Sequence, residues 1–209
     1  MIVTRFVQTS SAFSASYTLN GENGVLYSAK VPFNFAGYRA DLLKDGDMCF
    51  SISWNTETNL KNVPKRGTEK ELAYYEVTDE GGSVRGRICR KRSKRFNAYF
   101  YYELELDGNV YQLYEVGMGK QGIKLPVYCG EKQFALAEKD MEIINNNDSY
   151  TLSCLSEGGI IPSVLLLLYY DYLRFGHHGE VSDKSRKTFT MYSTNKELKR
   201  KYDPDWASR

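Results

Sequence analysis

The chain has 209 residues, a formal net charge of +2 and 42% hydrophobic residues. This length suits one domain, or one domain with a tail, and the apolar content fills a sizeable core. The near-neutral charge disfavours nucleic acid as a partner, because it gives no broad basic face. The four cysteines (Cys49, Cys89, Cys129 and Cys154) form no C-x-x-C pair and have apolar neighbours. They read as buried, reduced thiols, not as a disulfide framework or a zinc site.

The opening stretch MIVTRFVQTSSAF lacks the long apolar core of a secretory signal, so a cytoplasmic protein is expected. From residue 2 to residue 154 the pattern is strand-like, and 17 tyrosines and 10 phenylalanines favour strands. Phe13, Ala15, Tyr17 and Leu19 alternate with Ser14, Ser16, Thr18 and Asn20, which predicts a strand with one buried face. Gly21-Glu22-Asn23-Gly24 and Asp45-Gly46-Asp47 predict hairpin turns. Residues 55–71, polar with one proline and one glycine, read as a long surface loop. Strands resume at Leu72 and turn at Glu80-Gly81-Gly82. Residues 97–106 form the clearest strand, with Ala98, Phe100, Tyr102, Leu104 and Leu106 on one face. Asp107-Gly108-Asn109, Gly130-Glu131 and residues 145–148 predict further hairpins. About a dozen strands joined by hairpins imply an antiparallel meander, which closes more readily than it leaves two edges exposed.

Residues 160–175, IIPSVLLLLYYDYLRF, are different. On a helical period Val164 to Leu168 cover every side, so the helix is surrounded. The apolar part is about half the ~20 residues of a membrane span, which predicts a core helix and no transmembrane segment. Enclosing five aliphatic side chains contributes on the order of 10 kcal/mol before entropy, an upper bound. The expected fold is mainly β, a closed antiparallel barrel of about twelve strands around this helix, spanning residues 1–176. A polar extension follows over residues 177–209.

Three stretches carry a resemblance to a known superfamily. They are SASYTLNGENGVLYSAK; VYQLYEVGMGKQGIKLPVYCGEKQFALAEK; and VLLLLYYDYL, placed after the strand Tyr150-Thr151-Leu152. Residues 2–176 resemble the tubby C-terminal-like superfamily, which includes the LURP-one-related proteins and the phospholipid scramblases. The resemblance implies a closed barrel with a central helix, and basic side chains that hold phosphoinositide head groups. The proline-rich N-terminus, palmitoylated cysteine cluster and acidic calcium loop of scramblases have no counterpart, so calcium-driven scrambling is not implied.

The sharpest charge cluster is Arg85, Arg87, Arg90, Lys91, Arg92, Lys94 and Arg95, with no acid among them. Arg85 and Arg87 fall opposite Val84 and are expected to point outward, the rest to approach or occupy a hairpin tip. Phosphate groups of anionic lipid or another ligand could bind here. The competing reading is a solvated loop balancing Glu103, Glu105 and Asp107. Asp171 needs a polar partner inside the apolar helix, and Arg174 and Tyr172 are the nearest in sequence. His177-His178 lack further ligands at metal spacing. Gly117-Met118-Gly119-Lys120-Gln121-Gly122 lacks phosphate-loop spacing and reads as a turn. No cofactor, metal or catalytic arrangement is expected. The tail could add an edge strand over residues 188–192 and a short exposed helix over 195–201. The expectation is a non-enzymatic module for anionic phospholipid head groups or other phosphorylated ligands, peripheral to a membrane. The alternative is a structural or protein-interaction module using residues 55–71 or the C-terminal tail.

Overall fold

The computed structural model describes all residues except 12, 34–36, 56–69, 94–97, 177–184, 188–189 and 209. Its wall is a closed antiparallel barrel. The strands are β1 (Ile2–Ser10), β2 (Ala15–Gly21), β3 (Gly24–Val31), β4 (Arg39–Lys44), β5 (Asp47–Ser53) and β6 (Lys70–Asp79). They continue as β7 (Val84–Arg92), β8 (Phe100–Leu106), β9 (Asn109–Tyr114), β11 (Ile123–Cys129), β12 (Lys132–Lys139) and β14 (Ser149–Cys154). Neighbours in sequence pair from β1 through β9. β9 then pairs with β11, β11 with β12, β12 with β14 and β14 with β1, which closes the ring. Short β10 (Val116–Gly117) extends the sheet beside β11.

Helix α1 (Ile160–Arg174) fills the lumen. Each of the twelve wall strands contributes at least one side chain to the apolar cluster that contains Val164 to Tyr170. Ala15, Ala29, Ala40, Ala135 and Ala137 lie in that cluster. Such small inward residues make room for a helix ~10 Å across. The helix begins at Ile160, so Pro162 occupies the third helical position, still within the turn whose N–H groups have no intrahelical acceptor. Ser163 Oγ donates to Gly159 O at 2.7 Å. Gly176 ends the helix, donating its N–H to Asp171 O at 3.3 Å. No described helix is long and apolar enough to cross a membrane.

The two ends of the barrel differ. At one end the strands are joined by the tight connections 22–23, 45–46, 80–83, 107–108 and 130–131, and 155–159 leads into α1. Asp45-Gly46 and Asp107-Gly108 have φ of 53° and 94°, and 51° and 78°. Positive φ at both central residues is what a hairpin turn of this twist needs, and the expected turns form here. At the other end lie the longer connections 11–14, 32–38, 54–69, 93–99, 115–122 and 140–148, together with the C-terminus of α1.

Several expectations change. Phe13 is not on a buried strand face: β2 starts at Ala15, and Phe13 is 80% exposed in the preceding connection. The polar loop expected over residues 55–71 falls largely outside the described residues, and β6 begins at Lys70. Residues 141–144 do not pair with 150–154. β14 pairs with β12 instead, because the inward Tyr150, Leu152 and Cys154 share one face with Ala135 and Ala137. β13 (Glu142–Ile143) pairs with β15 (Arg186–Lys187).

The C-terminal extension packs on the outer wall. Met191 O accepts from Gly119 N–H at 2.9 Å, and Ser193 exchanges two hydrogen bonds with Gly117, through its N–H to Gly117 O and through Oγ from Gly117 N–H. α2 (Lys196–Lys199), capped by the Asn195 side chain, sets Leu198 against Tyr101, Tyr114 and Val116. A Cβ at Gly117 would lie 2.4 Å from Met191 O. Gly117→Ala is therefore expected to cost about 1–3 kcal/mol and to expose this segment. Faster limited proteolysis after residue 190, with the barrel intact, is the measurement.

Candidate functional site

The structure splits the basic cluster between the two faces of β7. Residues directly opposite in an antiparallel ladder share a face. Arg85, Arg87 and Lys91 project outward and are met by the neighbouring strands. Arg85 Nε is 2.8 Å from Asp107 Oδ1 and its Nη1 is 3.4 Å from Asp79 Oδ2. Arg87 Nε is 3.0 Å from Glu105 Oε2, with the guanidinium over the Tyr74 ring. Lys91 Nζ is 2.6 Å from Glu103 Oε1 in a part-buried pair. The balance with Glu103, Glu105 and Asp107 that the sequence allowed is thus realised for these three. The exposed pairs of Arg85 and Arg87 are screened by solvent and contribute little to stability.

Arg90 and Arg92 project to the inner side, at the rim that carries the long connections. Arg90 lies opposite Tyr102, and Arg92 opposite Phe100. β7 runs on through Arg92, so these residues stand on a strand and not at a hairpin tip. The Arg90 guanidinium sits 3.8 Å from the centroid of the Phe100 ring. Its Nε is buried and has no hydrogen-bond partner among the described residues. Burial pushes Tyr102 up to about 12, against the opposing charge of Arg90. Arg92 is exposed and makes no ion pair with a described carboxylate. Lys94, Arg95, His177 and His178 lie outside the described residues.

Beside Arg90, aromatic rings fill the mouth. Tyr169 on α1 packs against Tyr38, Tyr75 and Tyr102 at 5.5–6.1 Å between centroids. Trp54 meets Tyr75 edge-on at 5.4 Å. Arg174 reaches outward to Glu115 at 3.1 Å, so it is not the partner of Asp171.

Asp171 is held by the wall instead. Tyr17 OH donates to Oδ2 at 2.7 Å, and Tyr150 OH donates to Oδ1. Gln8 Nε2 donates to the Tyr17 hydroxyl at 3.4 Å, and Gln8 Oε1 accepts the Asp148 N–H at 3.0 Å. Asp148 in turn pairs with Lys139, whose ammonium lies over the Tyr150 and Phe175 rings. Lys139 and Asp148 side chains are both fully buried. Burial raises the Asp171 carboxyl above its ordinary value, and Asp148 adds to the rise. Lys139 and the two tyrosine hydroxyls oppose it. Burial, and then the charge of Asp171, push the Tyr17 and Tyr150 hydroxyls well up, so both stay donors.

Sequence reasoning missed this network, although one signal was present. Gln133, Ala135, Ala137 and Lys139 share a period of two on β12, which puts Lys139 on the inward face. The network ties α1 to β1, β2, β12 and β14, and it holds no solvent-facing reactive group. The segment 117–122 is a turn, with a single 3-10 turn over Gly119–Gln121, and it seats the C-terminal segment. Among the described residues no three His, Cys, Asp or Glu side chains gather at metal-ligating distance. Comparison with protein-family models, with curated proteins and with solved structures finds no match to this chain.

Proposed function

We propose that the chain is a tubby-like, non-enzymatic binding module that takes an anionic, phosphate-bearing ligand on Arg90 and Arg92. The observation that carries this reading is Arg90. It is braced over Phe100, its Nε has no acceptor among the described residues, and no described carboxylate pairs with it as Glu103, Glu105 and Asp107 pair with its outward neighbours. A donor left without an acceptor costs about 1–3 kcal/mol, which an incoming phosphate oxygen would offset. Arg92 supplies a second charge on the same face and rim. The architecture is the one the family resemblance implies, and it supports the reading without deciding the ligand.

The test is calorimetric titration with inositol hexakisphosphate at low and at high salt. Affinity is expected to fall with salt, and Arg90→Ala and Arg92→Ala to lose about 1 kcal/mol each, a factor of about five. Arg85→Ala and Arg87→Ala, already engaged by carboxylates, should change it little. No binding at low salt, or equal loss from all four variants, sinks the proposal.

A second reading, a protein-interaction module, is favoured by the C-terminal segment. A 610 Å³ cleft lined by Tyr99, Tyr101, Tyr114 and Lys201 opens between α2 and the wall. A protein partner lost on deletion of residues 56–69 or of the segment from 190 onward, yet kept by Arg90→Ala, would select it.

A further inference from the structure

Three neighbouring strands each present one tyrosine to the outside of the wall. Tyr101 on β8 lies directly opposite Tyr114 on β9, and Tyr128 on β11 lies opposite Gln112, two residues before Tyr114. The Tyr101 and Tyr114 rings stack at 5.6 Å between centroids. Tyr128 meets Tyr114 almost at a right angle, 85° at 5.8 Å. Two rings set at that angle make an open corner. The ammonium of Lys201, from the segment after α2, sits in it, 4.7 Å from the Tyr114 centroid and 4.8 Å from that of Tyr128. No described carboxylate pairs with this ammonium. Two aromatic faces turned on one cation are the arrangement that recognises quaternary ammonium groups.

The surroundings add a negative field. Burial pushes the Tyr114 hydroxyl well up, and Tyr99, Glu103, Tyr128 and Glu131 add to the rise. Burial also raises Tyr128, with Asp203 and Glu131 acting in the same direction. Glu131 and Glu197 line the adjoining cleft of 610 Å³, together with Arg200. That volume lies within the ~300–1,000 Å³ of small-molecule sites, so the space exceeds what one lysine head fills.

Lys201 is fixed by its backbone and not by its charge. Tyr128 OH donates to Lys201 O at 2.9 Å, and the buried Leu198 anchors the segment just before it. The ammonium itself is a strongly hydrated point charge on a flexible stem, and it can swing into water while the segment stays seated. A quaternary ammonium is weakly hydrated, so it loses less on leaving water and keeps the full attraction of the rings.

We infer that the Tyr114–Tyr128 corner is a binding site for quaternary or methylated ammonium groups, in which Lys201 is a built-in competitor that the ligand's cation displaces. The site is independent of the anion-binding reading, because the tyrosines face outward whereas Arg90 and Arg92 face the inner side of β7.

The test is calorimetric titration of the full chain with choline and with its neutral isostere dimethylbutanol, which separates charge from shape. Choline is expected to bind and dimethylbutanol is not. Lys201→Ala keeps the backbone carbonyl that Tyr128 holds, and it is expected to tighten choline roughly two- to fivefold, the weight of one exposed cation–π contact. Tyr128→Leu is expected to weaken choline by at least roughly the same factor, and Tyr128→Phe, which retains the ring, to preserve most of the affinity. Limited proteolysis after residue 190 checks that the segment stays seated in each variant. Acetyl-trimethyllysine amide is expected to bind more tightly than acetyl-lysine amide. If it also exceeds choline, the source is a modified peptide; if choline is tighter, the source is a free small cation. No saturable binding of either quaternary cation, equal binding of dimethylbutanol, or a Lys201→Ala variant that binds choline no more tightly than the parent overturns the inference. Arg90→Ala should leave choline binding unchanged, so loss of inositol hexakisphosphate binding bears on the anion reading alone.

Discussion

Lys139→Ala is expected to lower the unfolding free energy by about 3–5 kcal/mol, because it removes the buried cation that faces the buried carboxylates of Asp148 and Asp171. The loss should appear as a lower urea midpoint at unchanged slope. Lys139→Met, which restores the stem that packs on Tyr150 and Phe175, should recover only the packing part. A variant as stable as the parent would mean that the mouth network does not hold the helix. Asp171 gives this network a pH signature. Its folded-state value is raised above the ordinary 3.8, so the folded protein binds that proton more tightly than the unfolded chain does. The stabilisation is complete below the unfolded value and is lost as pH rises through the folded one. Among the described residues, the groups facing Asp171 are Asp148, Lys139, Tyr17 and Tyr150, with Tyr38 also within electrostatic reach. Asp171→Asn carries no such proton. The melting temperature of the parent minus that of this variant should therefore fall as pH rises from about 3.8, a trend that a purely steric role would not produce.

Leu167→Ala is the second large effect. Leu167 is fully buried at the centre of the lumen, enclosed by wall residues that cannot follow a shrinking side chain without opening the hydrogen-bonded ring. The expected cost is about 2–5 kcal/mol, the lost transfer energy plus a cavity. For a domain of this size that corresponds to a fall of roughly 5–15 °C in melting temperature. Leu173→Ala, on the same helix but exposed at the rim, should change stability by less than about 0.5 kcal/mol. Equal effects at the two positions would contradict a helix sheathed by the wall.

The features legible in the chain were those that a few neighbouring residues impose. Val164 to Leu168 are apolar on every side, so the helix must be surrounded whatever surrounds it. Asp45-Gly46 and Asp107-Gly108 accept positive φ, so hairpins form there. Glu103 and Glu105 alternate on β8 and Asp107 follows in the next turn, as Arg85 and Arg87 alternate on β7, so their pairing across the ladder follows from a period of two. The inward face of Arg90 was less legible, since it depends on how far β7 runs. The strand continues to Arg92 because β8 is there to pair with it. Phe13 fits the alternation of β2 yet lies outside it, because no strand partner extends that far.

By itself the sequence determined local periods, turn positions and the presence of a helix too apolar to face water. Those follow from dihedral preference and side-chain spacing within a few residues. Tertiary structure alone decided which charges neutralise one another, that Asp171 meets Tyr17 and Tyr150 and not Arg174, and that the polar tail packs along the outer wall. The physical reason is ring closure. Joining β9 to β11 and β14 to β1 sets each strand's register and the end at which its connection emerges, and residues far apart in sequence become neighbours only then.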